Sequence, residues 1–109
     1  MPHTPVLLSE SIDGLNIKSG GTYVDGTLGR GGHSLEIAKR IGAGRLIALD
    51  RDEEALEETS VFLMGFKDRI TYIHANFRFI SQILDEQGIK TVDGMLFDLG
   101  VSSPQLDKS

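Results

Sequence analysis

Cysteine is absent from the 109 residues, which excludes disulfides and thiolate metal sites and fits a cytoplasmic protein. Long apolar runs are missing as well. None approaches the roughly 20 residues that a membrane helix needs, and no basic flank precedes an apolar stretch near the N-terminus. The three histidines, His3, His33 and His74, lie far apart and show no metal-ligand spacing. Basic residues are few and scattered: 11 Lys and Arg stand against 16 Asp and Glu, for a net charge of −5. The densest charge run, residues 50–58, is mostly acidic. Phosphate binding rests on clustered Lys and Arg, so this stretch alone is not expected to grip nucleic acid.

What remains is an ordinary globular composition, 39% apolar and 25% charged, in a length that suits one domain at most. Short apolar runs alternate with helical periodicity. Residues 22–25 follow a Gly20-Gly21 turn and read as a first strand. Leu35, Ile37, Ala38 and Ile41 give a helical face that stops at Gly42-Ala43-Gly44. Residues 46–49 form a continuous apolar run, as in a parallel strand covered on both faces. Asp52 is placed to cap the next helix, with Glu53 and Glu54 at its positive end. That helix carries Ala55, Leu56, Thr59, Phe62 and Leu63 on one side and ends near Gly65. Residues 70–75 form a third strand, Ile80, Ile83 and Leu84 mark a third helix, and residues 92–99 form a fourth strand. The βαβαβαβ pattern predicts a doubly wound α/β fold, with a parallel sheet of strand order 3-2-1-4.

Ligands of such sheets sit beyond the carboxyl ends of the strands, at the switch point. Strand one ends in Asp25, strand two in Asp50 and strand four in Asp98, while strand three runs into Asn76-Phe77. The first turn, residues 25–34, is a glycine-rich loop (Asp-Gly-Thr-Leu-Gly-Arg-Gly-Gly-His-Ser) opening a helix. Its Gly29-x-Gly31-Gly32 spacing is not the G-x-G-x-x-G of a dinucleotide site. Three carboxylates would repel a pyrophosphate but suit a ligand with a sulfonium, an ammonium and no phosphate, which describes S-adenosylmethionine. Asp25 and Asp98 join the candidate ligand set, Asp50 can accept both ribose hydroxyls, and Phe77 can lie against the adenine. Asp25 could instead serve the loop amides, and Phe77 could be ordinary core. His33 is read as a loop residue giving backbone contacts, and His74 as structural.

Four segments then occur in order: residues 3–8 (His-Thr-Pro-Val-Leu-Leu), the loop 25–34, Asp50-Arg51-Asp52, and residues 93–107, which run from Asp-Gly-Met-Leu-Phe-Asp to Gln-Leu-Asp. Together they resemble the 16S rRNA cytosine-N4 methyltransferase family (RsmH, formerly MraW) across essentially the whole chain. The resemblance implies a Rossmann-like class I methyltransferase fold. It implies cofactor contacts at Gly29, Gly31, Gly32 and His33, with Asp50 on the ribose, Phe77 at the adenine, and Asp98 and Gln105 completing the site. Its substrate would be a cytidine of small-subunit rRNA near the decoding centre, and its location the cytoplasm.

The reaction would be in-line methyl transfer to an exocyclic amine, which requires an acceptor for the amine hydrogens. Asp98, Ser102, Ser103 and the Pro104 step just past strand four are the candidates; the alternative is that this segment is only a turn. A non-catalytic adenosyl-ligand or RNA-associated module would keep Asp50 and the loop but would not need residues 98–104. Family members continue well beyond this length, so residues 1–109 are expected to be the N-terminal part of the cofactor-binding domain, truncated before the remaining strands. Strand four would then be an edge, and the chain is expected to self-associate, most simply as a dimer.

Overall fold

The computed structural model describes residues 14–26, 32–97 and 100–102, with backbone alone for Gly32 and for the last three. Strand β1 (Thr22–Asp25) leads into helix α1 (Gly32–Arg40), and β2 (Arg45–Asp50) into α2 (Glu53–Phe62). A 3₁₀ segment (Met64–Arg69) precedes β3 (Ile70–His74), and a 3₁₀ turn (Phe77–Phe79) precedes α3 (Ile80–Glu86). Strands β4 (Gly94–Phe97) and β5 (Gly100–Ser102) follow. The sheet order is β3-β2-β1-β4-β5, with β1 parallel to both β2 and β4, and β2 parallel to β3. The expected 3-2-1-4 arrangement is therefore present.

Side-chain alternation along the strands divides the core into two layers, one on each face of the sheet. Tyr23, Leu46, Ala48, Ile70 and Leu96 pack with Ile37, Ala38 and Ile41 on the α1 side. Val24, Ile47, Leu49 and Met95 pack with Ile83 and Leu84 of α3 on the other. Five of the six β2 residues are buried, which is why that strand reads as an unbroken apolar run. Gly42 closes α1 at φ +57°, a conformation open to glycine at little cost. Strand β1 is clamped at its start by Asp93, whose Oδ2 accepts from the Thr22 N–H at 2.8 Å while its own N–H donates to the Thr22 carbonyl at 2.8 Å.

Three expectations need correction. Strand four is shorter than residues 92–99, because Asp93 is taken up by that clamp. It is also no edge: Gly100–Ser102 returns antiparallel, pairing Met95 with Ser102 and Phe97 with Gly100. Backbone donors and acceptors of a flanking strand are costly to leave unpaired, and a short hairpin partner supplies them. Phe62 does not face the core. The α-helix stops there, Leu63 turns at φ −105° and ψ 25°, and Leu63 enters the core while Phe62 stays 58% exposed. No helix among the described residues is long and apolar enough to cross a membrane.

Tyr72 points its hydroxyl into the α1-side layer without a hydrogen-bond partner among the described residues. Burial pushes this hydroxyl above its ordinary value. A phenol held neutral in the fold contributes stability that is fully present below the unfolded tyrosine value of about 10 and is lost as pH rises through the folded one. Tyr72→Phe should therefore leave stability at neutral pH unchanged or raised by up to about 1 kcal/mol, and should flatten the loss above pH ~10; urea unfolding across pH measures both. By contrast Ile47→Ala, at a fully buried site in β2, should cost about 2–5 kcal/mol in the same assay.

Candidate cofactor-binding cleft

The carboxyl ends of β1, β2 and β3 open on one side of the sheet, and each ends in a turn stabilised by its own polar residues. Asp52 caps α2, its Oδ1 accepting from the Glu54 N–H at 3.0 Å, which relieves Asp50 of that task. Asp50, 7% exposed, is held by the turn instead: its Oδ1 accepts from the Asp52 N–H at 2.9 Å, and its carbonyl accepts from the Ala75 N–H at 3.0 Å. Among the described residues that N–H is the one donor to the Asp50 carboxylate, and Oδ2 receives none. His74 stands opposite Asp50 in the ladder, and its Nε2 lies 2.9 Å from the Arg51 carbonyl. A carbonyl can only accept, so Nε2 carries the proton in this bond. This is the structural role expected for His74, and it pins the turn that carries Asp50.

After β3, Asn76 caps the 3₁₀ turn, its Oδ1 accepting from the Arg78 N–H at 2.9 Å. That turn lays the Phe77 ring over Gly26, where any Cβ would overlap it, and stacks it on Phe97 with centroids 5.2 Å apart at 28°. The Gly26 N–H donates to the Leu96 carbonyl at 2.7 Å, so the floor beneath the ring is rigid. The result is a cleft of about 210 Å³ bounded by Gly26, Leu49, Asp50, Arg51, Ala75, Asn76 and Phe77. It offers an apolar floor, an aromatic wall and one carboxylate with an unclaimed oxygen.

Of the residues singled out in the sequence, Asp50 and Phe77 come together in this cleft. Asp25 ends the adjacent strand, 5% exposed, and its Oδ2 accepts from the Ser34 Oγ at 2.6 Å. It sits beside Gly26 rather than in the cleft wall. Gly32 opens α1 and His33 lies half-buried in its first turn. Ser102 belongs to β5, where its backbone pairs with Met95. Gly29, Gly31, Asp98, Ser103, Pro104 and Gln105 lie outside the described residues. Sequence reading overlooked three contributors: Arg51, which brings a cation to a cleft expected to be wholly acidic, Asn76, and Ser34. Ser34 had a legible signal, since positions 34, 37, 38 and 41 form one helical stripe in which it alone is polar.

A doubly wound sheet with this cleft at its switch point defines the class I nucleoside-binding architecture of methyltransferases. Solved structures agree. A SAM-dependent O-methyltransferase from Thermotoga maritima superposes with a TM-score of 0.73 at 25% identity, over 90% of this chain and 36% of that one. A putative rRNA-methylase from Clostridium thermocellum gives 0.66 at 28% identity, over 79% and 49%.

The profile of the MraW methylase family matches residues 1–109, and the chain belongs to that family. It is 51% identical over 107 residues to the ribosomal RNA small subunit methyltransferase H of Brevibacillus brevis, and 53% identical over 106 residues to that of Lachnospira eligens. These alignments take in 97% and 96% of this chain. It spans about a third of each relative, 34% in both cases.

The overlap at Gly26 has a mechanical consequence. Gly26→Ala should force the Phe77 ring off its seat and cost about 1–3 kcal/mol, as overpacking does. Urea unfolding reads the cost, and the ring-proton shifts of Phe77 and Phe97 report the broken stack. Unchanged shifts would show that the ring is not held there.

Proposed function

We propose that this chain binds S-adenosylmethionine in the cleft and forms the N-terminal part of a methyltransferase domain acting on the N4 amine of a cytidine in 16S rRNA. The observation that carries the reading is the Asp50 carboxylate, nearly buried yet with Oδ2 facing a cleft and claimed by no described donor. An unpaired carboxylate oxygen at the end of β2 suits a vicinal diol, which supplies two hydroxyl donors. Phe77 supplies an apolar surface for a purine beside it. The names of the relatives, and of a fibrillarin from Aeropyrum pernix with natively bound S-adenosylmethionine and a TM-score of 0.63, support the same ligand class.

When bound, S-adenosylmethionine supplies an electrophilic methyl on a sulfonium. The chain's own residues bind and orient it: Asp50 through the ribose, Phe77 along the adenine, and Asp25 toward the cationic amino-acid end, with Gly29, Gly31, Gly32 and His33 as the loop around it. Asp98 and Gln105 complete the proposed ligand set. Ser102, Ser103, Pro104 and Asp98 are proposed to accept the hydrogens of the target amine and orient its lone pair. The rRNA substrate, its place in the small subunit near the decoding centre, and the cytoplasmic setting follow from the family relationship and are part of the proposal. The target base would have to be unstacked, or presented already exposed.

Self-association is also proposed, though not through β4, whose outer side is taken by β5. Exposed Val61, Phe62 and Met64 at the end of α2 are the apolar area available to a second copy. Light scattering on the chain and on a Val61→Ser/Phe62→Ser variant separates the cases: the variant should be the smaller species, and equal masses would remove this surface.

The cofactor assignment has a direct test. Calorimetry should give a binding isotherm with adenosylhomocysteine and none with NAD. Asp50→Ala should weaken binding by about ten-fold or more, because two charge-assisted hydrogen bonds are lost. Equal affinity in the variant would reject the assignment. With a net charge of −5, the chain should not shift a small-subunit rRNA hairpin in a gel at physiological salt.

A further inference from the structure

Helix α1 lies on the sheet through a stripe at positions 34, 37, 38 and 41, with Ile37, Ala38 and Ile41 fully buried. Helical spacing predicts an apolar residue at the first of these positions, and the structure has Ser34, 3% exposed. A hydroxyl removed from water this completely is costly unless it is bonded. Ser34 Oγ donates to Oδ2 of Asp25 at 2.6 Å, within the short range of an O–H···O⁻ bond. The bond joins the end of β1 to the first turn of α1 across the glycine-rich loop, and both partners are buried. Asp25 itself is registered opposite Ala48, two residues before Asp50 on the neighbouring strand. It therefore lies on the β4 side of Asp50, away from the Phe77 wall, where the non-adenosine end of a ligand seated in the cleft would fall.

Resting on the reading of this cleft as an adenosyl site, we propose that Ser34 is a positioning residue. Its hydroxyl holds the Asp25 carboxylate in the orientation that receives the ammonium of the ligand's amino-acid end. The hydroxyl does not meet the ligand. Its single proton is committed to Oδ2, and its place is set by the packing of Ile37, Ala38 and Ile41. Alanine at position 34 would leave the helix on the sheet and release the carboxylate to other rotamers.

Two ligands that differ only beyond the adenosyl sulfur separate this role from a general loosening of the loop. Adenosylhomocysteine carries the amino-acid end, and 5′-methylthioadenosine lacks it. By calorimetry, Ser34→Ala should weaken adenosylhomocysteine by about ten-fold, the size expected for one hydrogen bond to a charged group. It should leave methylthioadenosine within about two-fold of wild type. Asp25→Asn should show the same selective loss, and adding Ser34→Ala to it should lower the affinity no further. Should the alanine variant not fold by circular dichroism, Ser34→Cys keeps the volume with a weaker donor and should show the same selectivity at smaller size. Equal loss for both ligands, or no loss for either, overturns the positioning role while the cleft assignment stands. A wild-type chain that binds neither ligand overturns the cleft assignment, and the role of Ser34 with it.

Discussion

Two carboxylates kept almost out of water at the tips of adjacent parallel strands, Asp25 and Asp50, set the requirement that the rest of the ligand end must meet. A buried carboxylate is costly unless donors surround it. Here the donors come from the turns that follow each strand: the Ser34 hydroxyl for Asp25 and the Asp52 N–H for Asp50. Those turns stay in place because α1 is packed along its whole buried stripe, because Asp52 caps α2, and because His74 holds the Arg51 carbonyl. Sheet, helices and capping bonds thus act together to hold negative charge where the topology opens a cleft.

The division of labour between the two acids follows from register. Asp50 extends two residues beyond the position opposite Asp25 and reaches the cleft wall, next to Phe77 and Ala75. Asp25 remains deeper, beside Gly26 and under the start of α1. One carboxylate is placed for hydroxyl donors on a nucleoside and the other for a charge further along the ligand. Arg51 at the same rim tempers the acidity of the cleft. Exclusion of a pyrophosphate then rests on the two fixed carboxylates and on the loop spacing, and less on a uniformly negative field.

Much of this was legible from pattern alone. Sheet order followed from βαβ alternation, and the cap at Asp52 from its position before two glutamates. Asp50 and Phe77 emerged because strand ends at a switch point are where ligands bind. What escaped sequence reading has identifiable causes. Strand β5 is three residues long and pairs antiparallel, so it carries no periodicity to read. The 3₁₀ segment after α2 diverts Phe62 outward by a change in backbone geometry at Leu63 that apolar spacing does not encode. Phe97 was assigned to a strand core, and only the structure shows it stacked beneath Phe77. Ser34 was visible as a polar break in an apolar stripe, but its meaning depended on knowing that Asp25 lies across from it.

The central claim is that the ends of β1, β2 and β3 form one adenosyl-binding surface. Amide chemical-shift mapping of the labelled chain during titration with adenosylhomocysteine tests it most directly. The account predicts saturable shifts concentrated at Gly26, His33, Arg51, Asp52, Asn76 and Phe77, with the exposed end of α2 unmoved. Shifts centred on Val61 to Met64, or none at saturating ligand, would contradict it.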